Sequence, residues 1–206
     1  MRHLFSAILC MFLLASPSLA DASSEVRELL KVKIDAIVVL LQNQTTEKHD
    51  RNEQILDIIA PMFDFQTMAK LSLGKKYWPT LNQEQQATFS DLFSKRLQRS
   101  YLEKLDLYTN EEVLYGEPEA NGKQVHQPTT LISKDSRITM LYKLYLSSSE
   151  WRIYDVEIGG VSVIQTYRSQ FDGVLSEGTI NDLLEKLRTD GAFVISAPDE
   201  KEARPK

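Results

Sequence analysis

The chain has 206 residues, with 24 Lys and Arg against 29 Asp and Glu, a net charge of −5 at pH 7. That acidic balance argues against a nucleic-acid partner, whose phosphates require clustered cations. One cysteine and three histidines leave no disulfide and no recognisable metal-ligand spacing, so burial of a core must carry the stability.

At the N-terminus Arg2 precedes the apolar run Leu4 to Ala15, and Ser18-Leu19-Ala20 places small residues where a signal peptidase reads them. Residues 1–20 are therefore expected to be a cleaved signal peptide, and the chain to be exported. The apolar run falls short of the roughly 20 residues that span a bilayer. Cys10 lies inside it, without the small preceding residue that lipidation needs, and leaves with the signal. Residues 21–196 have the length of one domain, and the charged tail 197–206 is expected to be disordered.

The first third of the mature chain reads as helix. Val26, Leu30, Ile34, Ile37 and Leu41 recur at three- and four-residue spacing from near Ser24, and the polar stretch Asn43 to Asp50 interrupts them. A short helix carries Ile55, Ile58 and Ile59 up to Pro61. Asp64 caps a third helix with Phe65, Met68, Ala69 and Leu71 inside it, and Gly74 is placed where a left-handed terminus needs glycine. After the connector Lys75 to Pro79, Asn82 and Gln85 have capping-box spacing and open the longest helix, which aligns Phe89, Leu92, Phe93, Leu97, Tyr101, Leu105 and Tyr108.

From Glu111 the period changes to alternation. Strands are expected at 111–115, 125–133, 137–147 and 150–158, with turns at Glu119-Ala120-Asn121-Gly122, Lys134-Asp135 and Ser147-Ser148-Ser149. Connections this short imply antiparallel neighbours. In the last strand Tyr154, Val156 and Ile158 should project to one face, and Asp155 and Glu157 to the other. Gly159-Gly160 breaks it, Ser162 and Gln165 open another helix with Val163, Ile164, Tyr167 and Phe171 on one stripe, and a last helix runs from Thr179 to Arg188. Helices, then a meander, then helices make an α+β pattern.

Phe63-Asp64-Phe65 through Met68-Ala69-Lys70, the Gly74 to Trp78 connector, the Phe89 to Tyr101 helix, Ser133-Lys134-Asp135 and Trp151 through Phe171 occur together in order and spacing. In this the chain resembles MlaC, a family of periplasmic phospholipid carriers also known as toluene-tolerance auxiliary proteins. The resemblance runs from about Val26 to Arg188, and hopanoid-associated relatives share it. It implies a single domain with an N-terminal helical layer, a curved antiparallel sheet of about four strands similar to the nuclear transport factor 2 (NTF2-like) cone, and C-terminal helices, all enclosing an apolar pocket for acyl chains. It further implies a periplasmic monomer with no catalytic residues, no cofactor and no metal, whose cargo is phospholipid. The partners it implies are an inner-membrane ABC-transporter complex with its substrate-binding-domain subunit and an outer-membrane lipoprotein–porin complex, in the service of outer-membrane lipid asymmetry.

The residues are compatible with such a pocket. Candidate wall residues are Tyr101, Leu105 and Tyr108 from the long helix, Val113, Tyr115, Met140, Tyr142, Leu144, Tyr154 and Val156 from the strands, and Val163, Tyr167 and Phe171 beyond Gly160. Tyrosines suit such a wall, since the ring touches lipid while the hydroxyl reaches polar partners at the mouth. Lys75, Lys76 and Arg168, together with Lys134 and Arg137, are cations near element ends that a headgroup or a docking partner would meet. Three other readings compete. A hopanoid or other apolar lipid would suit the same fold. An isomerase-like enzyme would use Asp155, His126 and Tyr154, although Asp155 is expected to face away from Tyr154. A ligand-free envelope binding protein would fill the centre with side chains, so a void of several hundred cubic ångströms would favour the carrier.

Overall fold

The computed structural model describes residues 19–43, 45–105, 111–133, 137–189 and 191–193. The expected tail, Tyr108, Lys134 and all of the expected signal peptide except its last two residues lie outside them. Four helices come first: α1 (Leu19–Gln42), α2 (Lys48–Ile59), α3 (Phe65–Tyr77) and α4 (Gln83–Leu105). One antiparallel sheet follows: β1 (Glu112–Tyr115), β2 (Glu119–Asn121), β3 (Gln124–Ile132), β4 (Arg137–Ser147), β5 (Glu150–Ile158) and β6 (Val161–Ser162). Helices α5 (Val163–Glu177) and α6 (Ile180–Arg188) complete the α+β chain. Among the described residues no helix is long and apolar enough to cross a membrane.

The helix starts are set locally. Asp64 accepts from the Thr67 amide at 2.8 Å, and Asn82 and Gln85 exchange side-chain-to-amide bonds of 2.8 and 3.1 Å. Ser162 accepts from the Gln165 amide, and Thr179 and Asp182 form a full capping box. Each such bond satisfies an amide that the first helical turn leaves without a partner. Gly74 adopts φ 66° and ends the first part of α3 as expected, and a second helical part resumes at Lys75 after the kink.

The sheet order is β1-β3-β4-β5-β6, with β2 also paired to β3. β1 pairs with Thr129–Ile132 and β2 with Gln124–His126, so both lie on the edge of β3 away from β4. This corrects the expected turn at Glu119 to Gly122 and the count of four strands. Glu119–Asn121 is an exposed edge strand that pairs through its backbone alone and carries no apolar alternation, and only Gly122 (φ 63°) serves the turn.

β4 and β5 are joined by Ser148 and Ser149, both at positive φ, as a two-residue hairpin requires. Their register shifts opposite Lys143 and Leu144: Leu144 pairs with Ile153, but Lys143 pairs with Asp155, which leaves Tyr154 as the extra residue of a β-bulge. Trp151 and Ile153 before the bulge and Val156 and Ile158 after it therefore share the inner face with Tyr142 and Leu144. Helices α3, α4 and α5 close over that face, and α1 lies against β2 and β3, tied by Arg27 to Glu117 (2.8 Å), Tyr115 to Asp35 (3.0 Å) and Trp151 to Glu25 (3.0 Å).

Candidate functional site

An apolar cavity lies between the inner face of β5 and the helices. Ile59 lines it from α2, Phe63 from the connection that follows, Phe65 and Met68 from α3, Leu97, Gln98, Ser100 and Tyr101 from α4, and Val156, Ile158 and Val163 from β5 and the start of α5. The rings of Phe63 and Phe65 stack at 5.6 Å, and the edge of Tyr101 meets Phe63 at 6.1 Å. The cavity measures about 30 Å³. Small-molecule sites are typically about 300–1,000 Å³, so no acyl chain enters unless the walls separate.

The expected wall residues distribute unequally. Tyr101, Val156 and Val163 line the cavity. Tyr142 and Met140 stand in β4 directly opposite Val156 and Ile158. Burial pushes the hydroxyls of both Tyr101 and Tyr142 above the usual phenol range, so both rings stay uncharged. Leu105 packs with Leu102 on a second cluster of Ile37, Ile55 and Ile59. Val113 of β1 pairs with Leu131 of β3, and Tyr115 donates its hydroxyl to Asp35. Leu144, Tyr167 and Phe171 are fully buried in packed core and do not reach the cavity. The wall also includes Ile59, Phe65, Met68, Leu97 and Ile158, which the sequence pattern assigns to helices or to a strand face, and Phe63, which the pattern assigns to no element.

Tyr154 is a correction. The bulge turns it to the outer face, where its hydroxyl donates to Gln124 at 2.9 Å, lies 3.5 Å from His126 Nε2, and its ring meets Tyr145 at 6.0 Å. Asp155 is a second correction: it shares that face with Tyr154 instead of the opposite one, and it is 6% exposed. Its carboxylate accepts from Ser162 Oγ (2.8 Å), the Ile164 amide (3.2 Å) and Lys143 Nζ (3.4 Å), so it secures the N-terminus of α5 to the sheet. Burial lowers the His126 pKa, helped by the nearby Lys143 charge, which keeps the imidazole neutral at pH 7. The three residues of the enzyme reading thus share one face, with the carboxylate committed to three donors. Among the described residues no group of His, Cys, Asp and Glu could hold a metal ion.

Two of the four described rim cations are engaged. Arg168 donates from Nε to the Leu71 carbonyl at 3.0 Å and again from Nη2, serving the C-terminal end of the first part of α3 at the Gly74 kink. Lys76 pairs with Asp172 at 3.1 Å and lies over the Tyr77 ring, whereas Lys75 and Arg137 are exposed.

Fold and site together define an α+β protein that closes an apolar cavity between one sheet face and its helices. The model of the MlaC protein family matches residues 31–189, and the chain belongs to that family. The intermembrane phospholipid transport system binding protein MlaC of Haemophilus influenzae is 23% identical over 193 residues, 88% of each chain. Among solved structures, the phospholipid-binding protein of Ralstonia solanacearum, determined in complex with a phospholipid, matches with a TM-score of 0.70 at 24% identity, covering 78% of this chain and 93% of that one. A likeness at that identity establishes the fold.

Proposed function

We propose that the chain is a periplasmic phospholipid carrier whose cavity opens to take acyl chains. The observation that carries this reading is the apolar cavity between sheet and helices, in a member of the MlaC family with the fold of a phospholipid-bound protein. Residues 1–20 would direct export and be removed, and residues 21–196 would form the carrier. Tyr101, Val156, Val163 and, across the sheet, Tyr142 and Met140 would meet the chains. Membership of the family supports phospholipid as cargo and a transport role rather than catalysis.

Energetics constrain how such a carrier works. Two acyl chains of roughly 16 carbons, at about 0.8 kcal/mol per buried methylene, represent on the order of 20 kcal/mol of gross transfer free energy that release into water would forfeit. Lipid therefore moves in docked complexes that offer a continuous apolar path. The partners would be an inner-membrane ABC-transporter complex with its substrate-binding-domain subunit and an outer-membrane lipoprotein–porin complex, between which the carrier maintains outer-membrane lipid asymmetry.

The cavity volume of about 30 Å³ favours a second reading, an envelope binding protein without cargo. Native mass spectrometry of the protein purified from the periplasm without detergent, followed by lipid extraction, separates the two. A mass increment matching phospholipid is expected, and a hopanoid increment would change the cargo. An unloaded mass that persists after incubation with vesicles and the inner-membrane partner would overturn the carrier reading.

A further inference from the structure

Helices α3 and α5 wall the cavity from one side, with Phe65, Met68 and Val163 turned inward. Their other side forms a groove of about 730 Å³ with Leu71 and Trp78 at its apolar floor, above the buried Leu73 and Phe171. Lys70, Lys75, Lys76 and Arg168 line it against a single carboxylate, Asp172. In a chain of net charge −5, this places four cations and one anion around one cleft. The polar ties between the two helices lie in the same groove: Arg168 on the Leu71 carbonyl, and Lys76 and Tyr77 on Asp172 at 3.1 and 2.9 Å.

We propose that this groove receives an acidic, partly apolar segment of a partner protein, and that its docking loosens α3 from α5 and so opens the cavity. The inference rests on the carrier reading above. The floor is apolar and recessed below a lysine rim, a shape that an inserted polypeptide segment fills and a flat bilayer surface does not. Carboxylates of the incoming segment compete with Asp172 for Lys76 and Tyr77, and with the Leu71 carbonyl for Arg168. Both exchanges replace a tie between the helices by a tie to the partner. A carrier whose cavity is too small for its cargo needs such a coupling, because lipid admitted only in the docked state never meets water.

The test uses the mature chain with Trp151→Phe, which leaves Trp78 in the groove as the sole tryptophan reporter. Two short synthetic peptides alternate leucine with glutamate or with lysine, and uptake is followed with a phospholipid bearing a fluorescent polyene chain. The glutamate peptide is expected to shift the Trp78 emission and saturate, while the lysine peptide does not. Lys75→Glu/Lys76→Glu should weaken that binding about tenfold, the scale of two rim charges, and Asp172→Asn should strengthen it. Bound glutamate peptide should speed lipid uptake several-fold. Absent or charge-independent peptide binding, or binding with unchanged uptake, overturns the proposal. A Trp78 response to phosphatidylglycerol vesicles but not to the peptide assigns the groove to a membrane surface instead. If no phospholipid enters under any condition, the carrier reading falls and the coupling falls with it, while the Trp78 titration still decides whether the groove takes an acidic segment.

Discussion

The apolar interior has two regions built to different standards. Around α5, Phe89, Phe93, Tyr167, Phe171 and Phe193 interlock at ring-centroid distances of 5.1 to 5.9 Å, mostly edge to face, and each is almost completely buried. Around β5, Phe63, Phe65, Tyr101, Val156, Ile158 and Val163 surround unfilled space and include the polar groups of Gln98 and Ser100. Edge-to-face aromatic packing adds to area burial and leaves little freedom. A void forfeits dispersion contacts on its lining and makes local separation less costly. The aromatic cluster therefore carries stability, and the cavity side is where the molecule can open without unfolding.

Phe171→Ala is the strongest test of this contrast. Removing a fully buried ring should cost about 3–5 kcal/mol, read from the urea midpoint, while Ile158→Ala at the cavity should cost less, about 2 kcal/mol, because its surroundings are already loose. Equal costs would mean the two regions are one core. Enlarging side chains should separate them in the opposite sense. Ala69→Val, in fully packed surroundings, should cost about 1–3 kcal/mol by overpacking. Val163→Ile should be neutral or stabilise by up to about 0.8 kcal/mol as one methylene fills the void. Val163→Glu, which puts a charge on the apolar wall, should abolish lipid binding in mass spectra of the folded variant; retained lipid would place the binding wall elsewhere.

The sequence was most legible where the cause is local. The caps at Asp64, Asn82 and Ser162 follow from a side chain and an amide three residues apart, and all three form. The bulge was misread although a signal for it is present. Apolar residues occupy odd positions at Trp151 and Ile153 and even positions at Val156 and Ile158, and such a change of parity requires one residue to drop out of the ladder. Projecting a strict alternation from Ile158 backward put Tyr154 on the wrong face. β2 gave no signal, because an exposed edge strand pairs through its backbone and Glu119-Ala120-Asn121 has no face to bury. The size of the cavity was not legible either: apolar periodicity says which side chains point inward, and the distance between the surfaces they form depends on the whole packing.

The bulge itself makes a smaller prediction. Tyr154→Phe should lose one half-buried hydrogen bond to Gln124, about 0.5–1.5 kcal/mol, and leave lipid content unchanged. Tyr101→Phe removes a buried hydroxyl from a ring that lines the cavity and should alter lipid retention measured by the same mass spectrometry. If Tyr154→Phe altered lipid retention and Tyr101→Phe did not, the binding wall would lie on the outer face.

The smallest expected effect concerns Asp64, which ties α3 to the sheet beside the cavity: it caps α3, takes the Tyr145 hydroxyl on β4, and its amide bonds the Ile153 carbonyl on β5. Partial burial raises its carboxyl pKa, but hydrogen bonds from Thr67 and Tyr145 and the nearby Arg152 outweigh that, and the folded value lies below the ordinary one. A carboxyl depressed on folding contributes stability that is complete above its unfolded pKa, near 3.9, and is lost as pH falls through the folded value. Asparagine caps a helix about as well as aspartate, so Asp64→Asn removes the charge while keeping the cap. The variant should be less stable than the parent at pH 7, by less than about 1 kcal/mol for a charge still partly reached by solvent. That gap should close as urea midpoints are measured from pH 5 down to pH 2. A gap that stayed constant across this range would mean that Asp64 acts through geometry alone, and that its charge does not hold α3 to the sheet.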